Sequence, residues 1–302
     1  MRVKILGSAA GGGFPQWNCS CPNCFSIRKG HFSGTARTQT QLAFSCDPDN
    51  WTLVNASPDL RFQIEASPEL WPSDGRRSPI SEVIVSSAEV DQILGLLLLR
   101  EFHSFQIHAT AAIRRILTED NSLFGVLERF PGQVRWHDIL LDRPFITGGA
   151  RVEAVPLVDS FPGYVSKSRA AAFNPEESNI GLLLSPESGG GKLAFLPGCG
   201  SVPETLIERL ESCDVVLFDG TFWSNDEPMH IPGLGRTALQ IGHIPISGEG
   251  GSLERLATLT RARKIFIHIN NTNPMLDEES AEYRTVRDSG WEVAYDGMEI
   301  DL

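Results

Sequence analysis

Three cysteines close to the N-terminus have the spacing of a metal-binding loop. Residues 17–24 read Trp-Asn-Cys-Ser-Cys-Pro-Asn-Cys, so Cys19, Cys21 and Cys24 form a C-x-C-x-x-C pattern. Three thiolates at this spacing can hold one tetrahedral Zn²⁺ at Zn–S distances of about 2.3 Å, which leaves one coordination position for a distant residue. Because three sulfurs and a fourth protein ligand leave no position for a substrate, the pattern predicts a structural zinc.

Two other interpretations of this cysteine cluster are open. The three residues can be buried cysteines that lie together without a metal, since buried cysteine is common in protein cores. Cys21 and Cys24 can also form a redox pair. The redox interpretation is disfavoured because no helix or sheet of the thioredoxin type is predicted around them.

Polar residues follow the ends of several short apolar segments that are predicted to be β-strands. These segments are residues 52–55, 193–196, 215–218 and 265–267, and each is bounded by Gly, Pro, Asn or Asp. The polar residues at or just beyond their ends are Ser57, Cys199, Asp219, His268 and Asn273. One such residue is weak evidence, because Asp and Asn also begin turns. Several at strand ends favour a functional site, with His243 in a glycine-flanked loop as a further candidate.

The loop over residues 86–92 has the layout of a ligand-bearing loop at the end of a sheet. A predicted strand over residues 83–85 leads into it, and an apolar helical segment follows from about Ile93. The loop contains Asp91 but no histidine. A dinuclear metallohydrolase needs more imidazole ligands than this loop can supply, so conventional two-metal hydrolysis is not expected.

Composition and charge limit the classes of partner. The formal net charge of −12 over 302 residues argues against a general affinity for nucleic acid, because phosphate binding needs a basic face. The longest apolar run, residues 93–99, is far shorter than the roughly 20 residues that cross a bilayer. The N-terminus lacks the apolar region of a secretory signal. The cysteine cluster indicates metal in a reducing compartment, so we expect a cytoplasmic protein with no nucleic-acid or membrane partner.

The predicted elements are short strands with helices at intervals. Helices are predicted over residues 90–101 and 278–288, the second with Asp277 as its N-cap. The mixed order favours an α+β fold in which two sheets pack together with helices outside. No segment resembles a domain boundary, so we expect one domain over residues 1–302 with the cysteine-rich zinc loop at 17–24.

Five motifs together resemble the coenzyme PQQ synthesis protein B family, which belongs to the metallo-β-lactamase superfamily. They are LGSAAGGG at 6–13, PQWNC at 15–19, NASPD at 55–59, FDGT at 218–221 and HINNTNP at 268–274. The resemblance continues to YDGM at 295–298 and so covers nearly the whole chain. It implies an αββα sandwich, with the site at the strand ends between the two sheets.

The resemblance also implies a set of metal ligands. Cys19, Cys21 and Cys24 are the implied zinc ligands. In a related phosphodiesterase of the superfamily the fourth zinc ligand is a histidine three residues after the last active-site histidine. That position holds Asn271 in this chain, so Asn271, His268 and other residues are all candidates for the fourth ligand.

The superfamily pattern H-x-H-x-D-H, aligned on Asp91, puts Ser87, Glu89 and Gln92 at the histidine positions. The resembled family lacks the first two histidines and keeps the last one, so Gln92 departs from it. Asp219 matches the bridging aspartate of the superfamily, and His268 matches its last histidine.

The resemblance implies a function in pyrroloquinoline quinone (PQQ) biosynthesis, as an iron-dependent oxygenase that hydroxylates a precursor derived from glutamate and tyrosine. Under this hypothesis Asp91, Asp219 and His268 hold Fe²⁺, with Glu89 and His243 within possible reach. The expected catalytic residues are Asp91, Asp219 and His243. The expected substrate-binding residues are Ser57, Arg61, Gln92 and Asn273, with Arg37 as a second candidate for pairing with substrate carboxylates.

Two alternatives to this function are kept. Because of Gln92, the protein can be a catalytically altered paralogue that binds or carries a quinone or its precursor. It can also be an oxygenase that acts on another peptide-derived product. The partner expected in each case is a small molecule, a quinone precursor in the main hypothesis, and a homodimer is compatible with the sequence.

Overall fold

The computed structural model describes residues 1–141, 143–158 and 160–302. The strands within these residues are β1 Arg2–Gly7, β2 Gln41–Asp47, β3 Asn50–Val54, β4 Ile80–Ile84, β5 Phe105–Thr110, β6 Val134–Ile139, β7 Phe145–Thr147, β8 Ala150–Val158, β9 Asn179–Pro186, β10 Leu193–Leu196, β11 Val215–Asp219, β12 Arg263–Ile267, β13 Trp291–Val293 and β14 Glu299–Asp301. The α-helices are α1 Pro22–Arg28, α2 Leu60–Glu65, α3 Val90–Ile93, α4 Ala111–Thr118, α5 Lys167–Ala170, α6 Glu204–Leu210, α7 Ser252–Arg255 and α8 Ala281–Asp288. Short 3₁₀ segments cover Pro68–Leu70, Leu94–Arg100, Ser122–Glu128, Pro175–Glu177, Glu227–His230, Leu239–Ile241 and Pro274–Leu276.

Contacts between Cα atoms divide the chain into two units, each built from separate segments. The first unit consists of Met1–Leu6, Gln41–Gly191 and Gly297–Leu302. The second unit consists of Gly7–Thr40 and Lys192–Asp296. No helix in the part of the chain that the structure describes is long and apolar enough to cross a membrane.

The first unit contains a mixed sheet of seven strands in the order β14-β1-β2-β3-β4-β5-β6. Strands β3 to β6 run parallel to one another, and their inner positions are fully buried, for example Leu53, Val83 and Ile107. Strands β7, β8 and β9 of the same unit form an antiparallel meander. Helix α4 follows β5 directly and is capped by Thr110, whose Oγ1 accepts a hydrogen bond from the backbone N–H of Ile113.

The helix predicted over residues 90–101 is wrong beyond its first turn. Helix α3 ends at Ile93 and the chain continues as a 3₁₀ segment, because neighbouring backbone groups take over the helical hydrogen bonds. The carbonyl of Gln92 accepts from the N–H of Ala56 (2.7 Å), and the N–H of Gly95 donates to the carbonyl of Ala56 (2.8 Å). The loop after β3 and the loop after β4 are therefore joined backbone to backbone.

The second unit contains four parallel strands in the order β10-β11-β12-β13. The sequences LAFL, VVLFD and RKIFI are almost continuously apolar, as is usual for strands that are buried on both faces. Phe218 lies opposite Leu196 on one side and opposite Phe266 on the other. The carboxyl ends of β10, β11 and β12 consequently lie at the same edge of the sheet.

Two local predictions in the second unit need correction. A helix does follow the cysteine loop: α1 begins at Pro22, with Cys21 as its N-cap residue and Cys24 on its first turn. Proline is suited to this first position because its missing N–H has no helical partner to lose. The C-terminal helix begins at Ala281 and is capped by Ser280 instead of Asp277, because the Ser280 Oγ accepts from the N–H of Tyr283 at 2.9 Å.

The junction of the two loops in the first unit predicts an intolerance of any side chain at residue 95. A Cβ atom on Gly95 would lie 2.2 Å from the carbonyl oxygen of Ser57, so the Gly95→Ala variant must push the two loops apart. We expect a loss of about 2–3 kcal/mol in the free energy of unfolding, measured by urea denaturation. Gly125→Ala is the matched control, because a Cβ there meets no atom within 4 Å. Equal stabilities for the two variants would show that the loops after β3 and β4 are not in close contact at residue 95.

Candidate functional site

Three residues that could bind a metal ion meet at the carboxyl edge of the parallel strands in the second unit. Asp219 is the last residue of β11, and His268 follows β12 directly. His243 comes from the irregular segment after the 3₁₀ turn Leu239–Ile241. One ligand atom from each of the three residues lies within 4.8 Å of the other two. The structure therefore brings together three of the residues that the sequence selects.

The carboxylate of Asp219 is completely buried and accepts four hydrogen bonds. Its Oδ2 accepts from the N–H of Cys199 (2.9 Å) and from Nδ1 of His243 (2.7 Å). Its Oδ1 accepts from the N–H (3.0 Å) and the hydroxyl (2.6 Å) of Thr221. Burial by itself raises the pKa of Asp219, but the charges of His243 and His268 and these hydrogen bonds outweigh it, so the pKa lies below its usual value. Asp219 is therefore ionised at neutral pH in spite of its burial.

The hydrogen bonds of Asp219 and Thr221 determine which nitrogen of each imidazole carries the proton. An ionised carboxylate only accepts, so Nδ1 of His243 is the donor and Nε2 carries its lone pair. The Thr221 hydroxyl has a single proton, and its shortest contact is to Asp219. Its oxygen then accepts from Nδ1 of His268 at 2.8 Å, which leaves the lone pair of that ring on Nε2 as well.

The backbone of His268 is strained. Its φ is 60°, in the left-handed region that non-glycine residues seldom adopt. Its ring stacks on that of His243 with 5.5 Å between centroids and an interplanar angle of 18°. Strain of this kind is concentrated at functional sites, where the surrounding structure compensates for it. The conformation of His268 supports the assignment of this edge as the candidate active site.

The donor set of this cluster fits a transition-metal ion. Two imidazoles and one carboxylate are the ligands of the facial-triad sites that bind non-haem Fe²⁺ and leave other coordination positions open. A carboxylate can accept about four hydrogen bonds, and Asp219 already accepts four from groups of the protein. Coordination by Asp219 therefore requires His243 to release its Nδ1 contact. Cys199 and Thr221 can still hold the carboxylate in place.

The three cysteines of the N-terminal loop form the second cluster, also within the second unit. Their sulfur atoms lie within 4.8 Å of one another. The amide nitrogen of Asn271 lies 3.2 Å from Sγ of Cys19, 3.5 Å from Sγ of Cys21 and 3.4 Å from Sγ of Cys24. Burial raises the pKa of Cys24 to about 12, so a cation is needed to hold this thiol in its charged form. The spacing-based prediction of one site with three sulfurs fits this geometry.

The other predicted site residues have varied surroundings. Asp91 lies on α3 in the first unit and is half-buried. Gln92 is buried there, and its Oε1 accepts from the Ser86 hydroxyl at 3.0 Å. Ser57 is buried with its hydroxyl donating to Gln63 at 2.9 Å, whereas Arg61 on α2 is exposed. Their expected functional roles stay predictions.

Asn273 and Arg37 belong to the second unit and are both buried. Asn273 donates from Nδ2 to the carbonyl of Gly220 (3.0 Å), and its Oδ1 accepts from the N–H of Met275 (3.0 Å), so it ties the loop after β11 to the turn after β12. Arg37 donates to the hydroxyl of Ser8 at 3.3 Å. These contacts give both side chains a structural function, and their expected contact with a substrate stays a prediction.

Thr221 and Glu227 are two residues of this region that the sequence interpretation did not select. Thr221 belongs to the recognised FDGT motif, and its position two residues after Asp219 was the available signal. Glu227 gives no such signal, because it lies in an irregular segment. Its carboxylate accepts from the backbone N–H of Trp223 and from the hydroxyl of Thr272. Burial raises the pKa of Glu227 to about 7 in spite of these hydrogen bonds.

Comparisons with known proteins agree on one family. A sequence profile of the beta-lactamase superfamily domain matches residues 50–269. The chain is 44% identical to coenzyme PQQ synthesis protein B of Pseudomonas protegens and 43% identical to that of Azotobacter vinelandii, with both chains fully covered in each case. It also matches the crystal structure of Zn²⁺-bound PqqB from Methylobacterium extorquens, at 39% identity, a TM-score of 0.92 and full coverage of both chains.

The raised pKa of Glu227 predicts a stability that falls as the pH rises. Well below pH 4.5 the carboxyl is neutral in both the folded and the unfolded state. As the pH rises, it ionises less readily in the folded state, where its pKa is about 7, than in the unfolded state, where its pKa is about 4.5. Between pH 4.5 and pH 7 the free energy of unfolding of the wild type therefore falls by up to about 3 kcal/mol relative to that of the Glu227→Gln variant. This follows from about 1.4 kcal/mol per unit of difference between the folded and unfolded pKa values.

Urea denaturation of the wild type and of Glu227→Gln at pH 4, 6 and 8 measures this difference. Glu208→Gln is the control, because Glu208 is exposed on α6 and its replacement changes the net charge by the same amount. A difference between wild type and Glu227→Gln that is constant over this range would show that Glu227 titrates as in the unfolded chain.

Proposed function

The chain belongs to the coenzyme PQQ synthesis protein B family, and from this premise we propose that it hydroxylates a PQQ precursor in a metal-dependent reaction with O₂. Its fold, the αββα sandwich of the metallo-β-lactamase superfamily, agrees with the predicted α+β class. Its function in PQQ biosynthesis follows from the relatives that match over the full chain. The reaction type and the choice of iron are the parts that we propose.

The observation that carries the proposal is the chemical composition of the Asp219–His243–His268 cluster. Two imidazoles and one carboxylate favour a single divalent iron with open coordination positions over a pair of zinc ions. A two-metal hydrolytic centre needs bridging and further terminal ligands. When bound, Fe²⁺ would supply the activation of O₂ that hydroxylation of an aromatic ring requires.

The protein's own residues prepare this site for a cation. Asp219 supplies a fixed negative charge in a buried position. His243 is held beside Asp219 by an Nδ1 contact that it would give up when Asp219 binds the cation. The hydrogen bond between Thr221 and Nδ1 of His268 selects the tautomer in which Nε2 of that ring carries a lone pair. Hydrogen bonds of this kind to metal-binding histidines fix the orientation of the ring and raise its basicity. The N–H of Cys199, which follows the neighbouring strand β10, donates a hydrogen bond that holds the Asp219 carboxylate in place.

The remaining predicted residues enter the proposal as substrate contacts. A precursor made from glutamate and tyrosine carries several carboxylates, and an arginine can bind a carboxylate through two parallel hydrogen bonds. Arg61 has the exposure that such a contact needs. Asp91 is proposed as a further metal ligand or proton acceptor. We also propose a cytoplasmic location and a homodimer, as the sequence suggests.

We propose Zn²⁺ for the three cysteines. Thiolates are soft ligands that favour zinc over the harder divalent ions, and the related PqqB from M. extorquens has been crystallised with Zn²⁺ bound. The type of ligand would then determine which metal each cluster binds, iron at the imidazole–carboxylate cluster and zinc at the thiolate cluster.

Metal analysis of the full chain, reconstituted without oxygen in the presence of Fe²⁺ and Zn²⁺, tests this assignment. We expect Asp219→Ala to remove iron and retain zinc, because it removes the carboxylate that the described part of the chain contributes to the first cluster. Cys24→Ser is the reciprocal control and should remove zinc and retain iron. Retention of both metals by Asp219→Ala would refute the assignment of Asp219.

A more conservative pair of variants examines the hydrogen bond to His268. Thr221→Val removes the hydroxyl at nearly constant volume and should weaken iron binding by about 10–100-fold, as the loss of a hydrogen bond to a metal-binding residue typically does. Thr221→Ser keeps the hydroxyl and should bind iron as the wild type does. Equal iron affinities for the two variants would mean that Thr221 does not orient His268.

Activity is tested with the Glu–Tyr-derived precursor, Fe²⁺, ¹⁸O₂ and ascorbate as reductant. The expected product gains ¹⁸O by mass spectrometry, and the gain depends on iron. Tight precursor binding without any oxygen gain, in protein that holds zinc alone, would favour the carrier function. Oxygen gain on a different peptide-derived substrate only would favour the third hypothesis.

A further inference from the structure

The cysteine cluster differs from a closed structural zinc site in its fourth group. Closed sites surround Zn²⁺ with four cysteine or histidine ligands, whereas an open site keeps a position for an exchangeable ligand. The side chain next to the three sulfurs in this chain is Asn271, whose amide nitrogen lies 3.2–3.5 Å from each of them. The turn that carries Asn271 therefore supplies neither imidazole nor thiolate at this position.

The amide of Asn271 is a weak ligand in either orientation. Its Nδ2 has only hydrogens to offer, which a cation between the sulfurs would repel. If the amide turns, its Oδ1 can face the cation, but a neutral carbonyl oxygen is a harder donor than the three thiolates that select zinc. A stronger donor from outside the chain can displace such a ligand.

A cavity gives small molecules access to this position. It has a volume of about 850 Å³, and its wall includes Cys19, Cys21 and Asn271. Cys19 and Cys21 are half-buried, whereas Cys24 has no exposed surface. The cluster is thus closed on the Cys24 side and bordered by the cavity on the side of Cys19, Cys21 and Asn271.

We propose that the three-cysteine zinc site has an exchangeable fourth coordination position that opens on this cavity and binds a small neutral nitrogen ligand of the imidazole or amine type. Three thiolates and one Zn²⁺ have a net charge of −1, so a further anion is repelled. A neutral nitrogen donor is not repelled, and imidazole nitrogen is a common zinc ligand in proteins. This inference concerns the thiolate cluster and is independent of the reaction at Asp219.

The experiment uses the full chain loaded with Co²⁺ in place of zinc, with imidazole as the probe. Charge-transfer absorption from sulfur to cobalt reports the cysteine cluster alone, because Asp219, His243 and His268 contain no sulfur. In the wild type, imidazole should shift these charge-transfer bands in a saturable way.

Two variants at residue 271 make the result specific. Asn271→His supplies a nitrogen ligand from the chain and should abolish the response to imidazole. Asn271→Ala removes the competing amide and should bind imidazole about tenfold more tightly than the wild type. If Asn271→His does not fold, as judged by circular dichroism, the comparison of Asn271→Ala with the wild type carries the test.

Three results would overturn the proposal. The first is an absence of any spectral change in both the wild type and Asn271→Ala. The second is an equal response in the wild type and Asn271→His, which would place the probe elsewhere. The third is an identical imidazole affinity in the wild type and Asn271→Ala, which would mean that Asn271 does not occupy the fourth position.

Discussion

A fully buried carboxylate, that of Asp219, is the constraint on which the candidate active site depends. Burial of an ion without partners costs several kcal/mol, so it needs fixed hydrogen-bond donors around it. Those donors come from Cys199 after β10, from Thr221 after β11 and from His243 in a separate loop. The contact with Thr221 is local, but the parallel register of β10 against β11 is what brings the N–H of Cys199 to the same carboxyl group, so the strand order of the second unit is a condition for the site.

The turn after β12 links the two clusters of the second unit. It carries His268 at its start and Asn271 three residues later, and the Nδ2 of Asn23 in the cysteine loop donates to the backbone carbonyls of Asn271 (3.2 Å) and Asn273 (3.0 Å). A cation among the three sulfurs would fix the cysteine loop, and through Asn23 it would also fix the turn. The strained backbone of His268 is then supported from its carboxyl side, in addition to the support from Thr221.

The local errors in the interpretation of the sequence arise from contacts that a local pattern does not contain, and the clearest case is a distant group that competes for backbone hydrogen bonds. The apolar run after Asp91 predicts a long helix, but Ala56 takes the carbonyl of Gln92 and binds the N–H of Gly95. Periodicity cannot reveal such a partner. Asp277 and Ser280 are both acceptable N-cap residues, and the choice between them depends on how the preceding 3₁₀ turn positions the chain. The sequence gives no signal for Glu227, because its burial comes from tertiary contacts.

The sequence by itself determined the family, the fold class and the identity of most ligand candidates, because cysteine spacing and polar residues at strand ends are local patterns. It also selected Asp219, His243 and His268, although it could not tell which of them meet. The tertiary structure decided that these three form one cluster and that Thr221 sets the tautomer of His268. It also decided that Asn271 lies against the three sulfurs. Such facts depend on distances between segments that lie up to about 250 residues apart in the chain, and no local pattern encodes these distances.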